Sequence, residues 1–203
     1  MFPFDVILFD VGGVLLTNGW DHRERAAVAK QFSLDLTTFE ALHAAHYDAW
    51  ERDAINVAEY LDLTVFYEPR SFSKAAFYDA ICAQSKEIPD GALGVLHDVA
   101  TTCNCLVGAL NNEARETNEF RFQKFGLRNV FDVALSSCYL GLRKPDAAIY
   151  KRALDILGRP AERVLFIDDR PENVAGATGV GMNGIVFKGA EGLRSELVAL
   201  GVL

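Results

Sequence analysis

What is scarce in this sequence narrows its function before any motif is read. Cysteine is scarce: four residues, at 82, 103, 105 and 138, in a chain of 203. That is too few for a disulfide scaffold at this length, so the expectation is four reduced thiols in a cytoplasmic protein. Cys103-Asn104-Cys105 has a spacing compatible with half of a metal site. No second Cys/His cluster accompanies it, and small buried residues are the plainer reading. Positive charge is also in the minority. Lys and Arg number 20 against 28 Asp and Glu, for a formal net charge of −8. Nucleic acid and anionic membrane surfaces are bound by clustered cations, so neither is expected as a partner. A small anionic ligand stays compatible, because a few local cations outweigh the global balance, and a divalent cation suits it well. There is no apolar run long enough to span a bilayer. There is no signal-peptide pattern at the start, no internal repeat and no low-complexity segment.

What is present is ordinary globular composition, 50% apolar and 24% charged, at a length that suits one domain or a core with one insertion. Val6–Phe9 is a short continuous apolar run, as expected of a strand buried on both faces. Similar runs recur at Leu106–Leu110, around Val130 to Leu135, at Val164–Ile167 and at Gly184–Phe187. Helical patterns lie between the later ones: Ala92 to Ala100, Glu116 to Phe125, a helix capped by Asp146 and reaching Leu157, and one opened by Pro171 and running through Ala177. Strand–helix alternation predicts a doubly wound parallel sheet with right-handed crossovers. Asp21 to Lys86 breaks the alternation with helix after helix. Thr37-x-x-Glu40 and Asn56-x-x-Glu59 resemble capping signals there, the first matching the pattern better. The expected division is a core of residues 1–18 and 88–203 and a helical insertion of 19–87.

Three polar clusters each follow directly on an apolar strand: Asp10-Val-Gly-Gly-Val14, Asn111-Asn-Glu113 and Asp168-Asp-Arg-Pro-Glu-Asn173. In open parallel sheets, ligands bind outside the carboxyl ends of the strands, so the fold gathers all three at one edge. Lys144, in Arg143-Lys-Pro-Asp146, lies in a loop able to reach the same place. Carboxylates brought together repel unless something compensates. Mg²⁺ does so with oxygen ligands, and a lysine adds the charge a phosphoryl group needs. Gly12 and Gly13 let the backbone approach a ligand closely. Taken singly, each feature has an ordinary explanation: a turn, a solvated lysine, a helix cap. Their order and placement point to metal-assisted phosphoryl transfer.

On these motifs the chain resembles the haloacid dehalogenase-like hydrolase superfamily over essentially its whole length. That family opens with an apolar strand and Asp-x-Asp-x-Thr/Val, matched by Asp10-Val11-Gly12-Gly13-Val14; its Ser or Thr after a later strand is met by Asn111; its Lys by Lys144; its acidic pair and following Asp or Asn by Asp168, Asp169 and Asn173. The resemblance implies a Rossmann-like core with a small helical cap. It implies Asp10 as nucleophile forming an aspartyl phosphate, with Mg²⁺ held by Asp10, the Gly12 carbonyl and Asp169. It further implies that Asp168 orients Lys144, that Lys144, Asn111 and Asn112 hold the phosphoryl group, and that Asn173 supports the metal shell. Where the family has its acid–base Asp, this chain has Gly12, which transfers no proton; such help is worth on the order of 10²–10⁴-fold. The reading is a phosphatase of a small phosphomonoester, with sugar phosphates among the options, acting as a monomer or homodimer. Two alternatives stand beside it: a low-activity protein binding metal and a phosphorylated ligand, and a metal-independent haloacid dehalogenase, which the acidic pair disfavours. His43, His46, Tyr47 and Trp50 fall on one helix face. A packed face is the commoner meaning of that spacing, and a substrate-facing one the alternative. Trp20, near the start of the insertion, is open between a ligand-covering and a buried role.

Overall fold

The computed structural model describes residues 3–203; Met1 and Phe2, the first residues of the expected core, lie outside them. Five strands form one parallel sheet: β1 (Val6–Phe9), β2 (Leu106–Ala109), β3 (Val133–Ala134), β4 (Val164–Asp168) and β5 (Asn183–Val186), in the spatial order β3-β2-β1-β4-β5. Every residue of β1 and β4 is buried, which is why these strands read as unbroken apolar runs and not as alternating ones. β3 is shorter than its apolar run: the chain is still turning through Val130 to Asp132, and only Val133 and Ala134 reach the ladder.

Helices α5 (Leu93–Thr102), α6 (Arg115–Lys124) and α10 (Ala190–Ala199) supply side chains to the layer that includes Ile7, Phe9, Val107 and Leu165. On the other face, Val6, Leu8 and Phe166 pack on α8 (Ala147–Leu157) and α9 (Pro171–Thr178). A short helix α7 (Ser137–Leu140) follows β3. Asp146 caps α8, accepting from Ala148 N at 3.0 Å, and Gly158 ends it at φ 60°, so its bounds follow the capping chemistry.

Four helices lie between β1 and β2 ahead of α5: α1 (His22–Gln31), α2 (Leu36–Glu51), α3 (Val57–Thr64) and α4 (Lys74–Ala83). They have a core of their own, built on Trp20, Phe39, Trp50, Tyr60 and Phe77. The two capping expectations exchange rank. Asn56 and Glu59 form the complete capping box of α3, with both reciprocal bonds present. Asp35, not Thr37, caps α2, its Oδ1 accepting from Thr38 N at 2.8 Å; an aspartate two residues earlier captured the orphan donor, and Thr37 sits inside the first turn.

The reading of four reduced thiols is corrected at one place. Cys103 and Cys105 are disulfide-bonded, with Cα atoms 5.2 Å apart, while Cys82 and Cys138 are free and buried. Cys103 leaves α5 with extended dihedrals. The chain then bends at Asn104 and Cys105 before β2, which brings the two sulfurs together.

Candidate active site

The sheet order places β1 between β2, to which the chain turns first, and β4, to which it crosses later; ligands bind at such a switch point. Phe9 is in register with Ile167, so the next residues, Asp10 and Asp168, emerge side by side. Asp10 N donates to Ile167 O at 2.8 Å, and one Asp10 carboxylate oxygen accepts from Val11 N at 2.8 Å. That same oxygen lies 3.0 Å from Lys144 Nζ.

Lys144 arrives in the loop between α7 and α8. Its Nζ donates to Asp168 Oδ2 at 2.6 Å and stands over the Phe166 ring, with no side-chain surface exposed. Asp168, itself fully buried, accepts in addition from Arg170 N at 2.8 Å and from Asn173 Nδ2 at 3.0 Å. Asp169 is different: its Oδ1 is buried and has no hydrogen-bond partner among the described residues. Oxygens of Asp10, Asp168 and Asp169 lie within 4.8 Å of one another.

Three carboxylates therefore lie together, and one buried lysine pairs with two of them. Burial pushes the Asp10 carboxyl up to about 7; Lys144 opposes this and the Asp168 carboxylate adds to it. Asp169 is raised as well, by burial and then by Asp168. Negative charge in excess, hard oxygen donors and an orphaned carboxylate oxygen fit a divalent cation such as Mg²⁺. The Gly12 carbonyl accepts no backbone hydrogen bond among the described residues, which leaves it free as a further oxygen ligand. Gly13 has φ 76°, and a Cβ there would lie 2.3 Å from Asp169 Oδ2, so only glycine lets the turn pass so close to the carboxylate.

A cavity of about 490 Å³ opens over Asp10. The helical insertion contributes Trp20, Arg25, His43 and Tyr47 to its walls, and the core contributes Asn112, Glu113, Arg121, Arg143 and Lys144. Asp169 faces a second hollow beside Gly13 and Lys188. The carboxylate cluster thus sits between the two, with Asp10 open to one and Asp169 to the other.

The structure brings Asp10, Gly12, Lys144, Asp168, Asp169 and Asn173 together at one rim. Two expected substrate ligands are differently employed. The Asn111 side chain does not line the cavity; its Nδ2 donates to Asn118 at 2.9 Å and its Oδ1 accepts from Ser136 Oγ at 2.7 Å. A buried amide must satisfy both ends, and these neighbours do so. Asn112 reaches the cavity wall, but its amide holds Lys144 from both sides, Nδ2 to Lys144 O and Lys144 N to Oδ1, each at 2.9 Å. It positions the lysine. On α2, His43 and Tyr47 line the cavity; Trp50 is buried and stacks on Tyr60 at 4.1 Å; His46 does not line it. The face is thus divided between cavity-lining and packed residues. Trp20 likewise does both, lining the cavity while its ring packs edge-on against Phe39 and Phe77.

Sequence reasoning placed Glu113 in the polar cluster after β2 but passed over Arg121, its buried ion-pair partner in the cavity wall, and Asn18 beside Gly12. Arg121 had a signal: Thr117 and Arg121 are spaced by four on α6, with Glu113 four residues before Thr117, just ahead of the helix.

A family model for haloacid dehalogenase-like hydrolases matches residues 4–181. A flavin mononucleotide hydrolase of Arabidopsis thaliana is 42% identical over 66 residues, 32% of this chain and 27% of that protein. A pyrimidine 5'-nucleotidase of Escherichia coli is 28% identical over 159 residues, 75% of this chain and 64% of that protein. The chain spans less than two thirds of the length of each. A HAD family enzyme of Bacteroides thetaiotaomicron, solved as a magnesium complex, superposes with a TM-score of 0.79 at 20% identity, covering 96% of this chain and 98% of that one, and shows the same fold.

Proposed function

Since the chain belongs to the haloacid dehalogenase-like hydrolases, we propose that it is a magnesium-dependent phosphatase of a small phosphomonoester, with Asp10 as nucleophile. The observation that carries this is the convergence of the Asp10, Asp168 and Asp169 carboxylates, the first two paired with Lys144 and one Asp169 oxygen left without a partner among the described residues. The relatives named for a flavin mononucleotide and for pyrimidine nucleotides support a phosphorylated metabolite as substrate.

In this reading one Asp10 oxygen is tethered by Val11 N and Lys144, and the other attacks phosphorus to give an aspartyl phosphate. Lys144 neutralises the phosphoryl oxygens. Asp168 and Asn112 keep it aimed, the first through Nζ and the second through its peptide. Asp10, Asp169 and the Gly12 carbonyl would hold Mg²⁺, which supplies Lewis-acid neutralisation of the phosphoryl group. Residues 19–87 act as a cap whose α1 and α2 side chains close the cavity and exclude water from the aspartyl phosphate. A cytoplasmic monomer or homodimer completes the reading.

The test is hydrolysis of p-nitrophenyl phosphate. Turnover that requires Mg²⁺ and vanishes in Asp10→Asn supports the reading. Chloride release from a 2-haloacid without metal replaces it with a dehalogenase, and metal binding without either activity replaces it with a binding protein.

A further inference from the structure

Five Lys and Arg side chains line the cavity: Arg25, Arg121, Arg143, Lys144 and Arg170. Four are engaged by carboxylates at bonding distance. Arg25 makes two bonds of 2.8 Å to Glu40, and Arg121 is paired with Glu113. Arg143 reaches Glu51 at 2.5 Å and Asp48 at 2.9 Å, and Lys144 lies 3.0 Å from Asp10 and 2.6 Å from Asp168. Arg170 is the exception. Its nearest carboxylate oxygen among the described residues, Asp21 Oδ2, is 4.0 Å away, beyond hydrogen-bond reach, and half of its side chain is open to solvent. Its backbone is nevertheless fixed, since Arg170 N donates to Asp168 Oδ1 and seats the base of the side chain beside the carboxylate cluster.

The boundary between insertion and core is asymmetric in the same way. The end of α2 and the start of α3 are fastened to the core. Arg143 bonds Asp48 and Glu51, Arg52 donates to Gly141 O at 3.1 Å, Arg115 holds Asp53 at 2.6 Å, and Val57 N donates to Glu116 at 2.9 Å. At the start of α1 the one ion pair that crosses to the core, among the described residues, is Asp21 with Arg170. The cavity opens to solvent where its lining is exposed, at Ala44, Pro145, Arg170 and Glu172, and Arg170 is the one cation among these. Glu172 repels an anion at the same rim, so Arg170 is the group there that attracts one.

Resting on the phosphatase reading, we propose that Asp21 and Arg170 form the gate of the cavity, and that Arg170 binds the incoming phosphate dianion of the substrate, giving up Asp21 as it does so. In a chain of net charge −8, a guanidinium without a bonded anion is the local attraction that a dianion needs. Its planar fork of donors gives a phosphate two bonds at once, where Asp21 takes none. The exchange is easy, because a long contact between two half-exposed side chains is weak. When the phosphate has moved on to Lys144, Asp21 is again the partner. The insertion then closes at this edge while the α2 edge stays fastened.

The experiment measures kcat and kcat/KM for p-nitrophenyl phosphate in saturating Mg²⁺ over a range of KCl, together with the dissociation constant of inorganic phosphate for the same Mg²⁺-loaded protein. Arg170→Gln lowers kcat/KM on the order of tenfold at low salt, leaves kcat little changed and flattens the dependence on salt. Phosphate binding weakens in parallel, and Arg170→Lys keeps most of both. Asp21→Asn keeps a side chain able to cap α1 but removes the competing charge, and raises kcat/KM about twofold. Arg170→Gln beside it cancels that gain, because the two residues act through each other. An unchanged kcat/KM and salt dependence in Arg170→Gln, with turnover still vanishing in Asp10→Asn, overturns the gate and leaves the phosphatase reading standing. A fall in kcat at unchanged KM overturns it too. If no ester is turned over, the phosphatase reading falls and the phosphate dissociation constant decides the gate: weaker binding in Arg170→Gln supports it, and no difference overturns it.

Discussion

Two groups of buried charge line the same cavity and are built in opposite ways. Glu113 and Arg121 are one anion and one cation, bonded to each other. Thr117 donates to the glutamate at 2.7 Å, and the arginine donates to Thr17 O and Asn18 O, the strand of chain that leads from β1 into the insertion. Asp10 and Asp168 instead share Lys144, and Asp169 lies beside them with no ion pair of its own, so the anions outnumber the cations they contact. A balanced pair closes on itself and works as a joint. An unbalanced cluster is completed only by something that arrives, a cation and a phosphoryl group. The difference separates structure from function more sharply than burial does, since both groups are out of water.

The largest effect expected from this contrast is kinetic. Asp10→Asn removes the nucleophile, and Mg²⁺-dependent phosphatase turnover should fall on the order of 10⁴-fold or more. In metal-free protein the same change removes one of three crowded anions, so urea unfolding should show equal or greater stability. Lower stability without metal would mean that the cluster is balanced after all. Arg121→Met acts the other way. It strands Glu113 in the buried wall and should cost about 3–5 kcal/mol in urea unfolding. Arg121→Met with Glu113→Leu should recover much of that loss, and a double variant no better than the single one would break the picture of a closed pair. Next in size is the response to metal. Mg²⁺ at a hundred times its dissociation constant should stabilise the wild type by about 2.7 kcal/mol. Asp169→Asn, which alters the orphaned carboxylate, should lose that response while keeping the fold.

The sheet and its rim were legible because parallel strands buried on both faces leave unbroken apolar runs, and the polar residues that follow such runs are gathered by topology. Asp10, Lys144 and Asp168 needed no more than that. Periodicity does not say which of two adjacent amides faces the cavity; for the Asn111 side chain, Ser136 and Asn118, from distant segments, supply the partners. Arg121 and Asn18 are long-range partners, 103 residues apart, and no local pattern joins them. The cap of α2 went to Asp35 over Thr37 because two candidates two residues apart compete for the same first turn, and only the backbone path settles which one is outside it. The disulfide between Cys103 and Cys105 was hidden for the opposite reason: composition argued about the compartment, while a local bend fixed the pairing.

The smallest effect concerns a third kind of buried group, one that stays uncharged. His43 sits between Arg25 and Arg143 on one side and Glu40 and Asp21 on the other, and burial holds it at about 4, below its ordinary 6.5. A histidine depressed on folding is neutral in the folded chain at a pH where the unfolded chain is protonated. The unfolded state then binds more protons, so stability falls as pH drops through 6.5 and goes on falling until about 4. The slope is at most about 1.4 kcal/mol for each pH unit, and about 1 kcal/mol should be lost between pH 6 and pH 5. His43→Gln has no proton to gain, so the difference in unfolding free energy between the two proteins should drift by that amount across the interval. A constant difference would place a proton on His43 in the folded protein. The Tyr60 hydroxyl, 2.8 Å from His43 Nδ1, would then have lost that nitrogen as an acceptor.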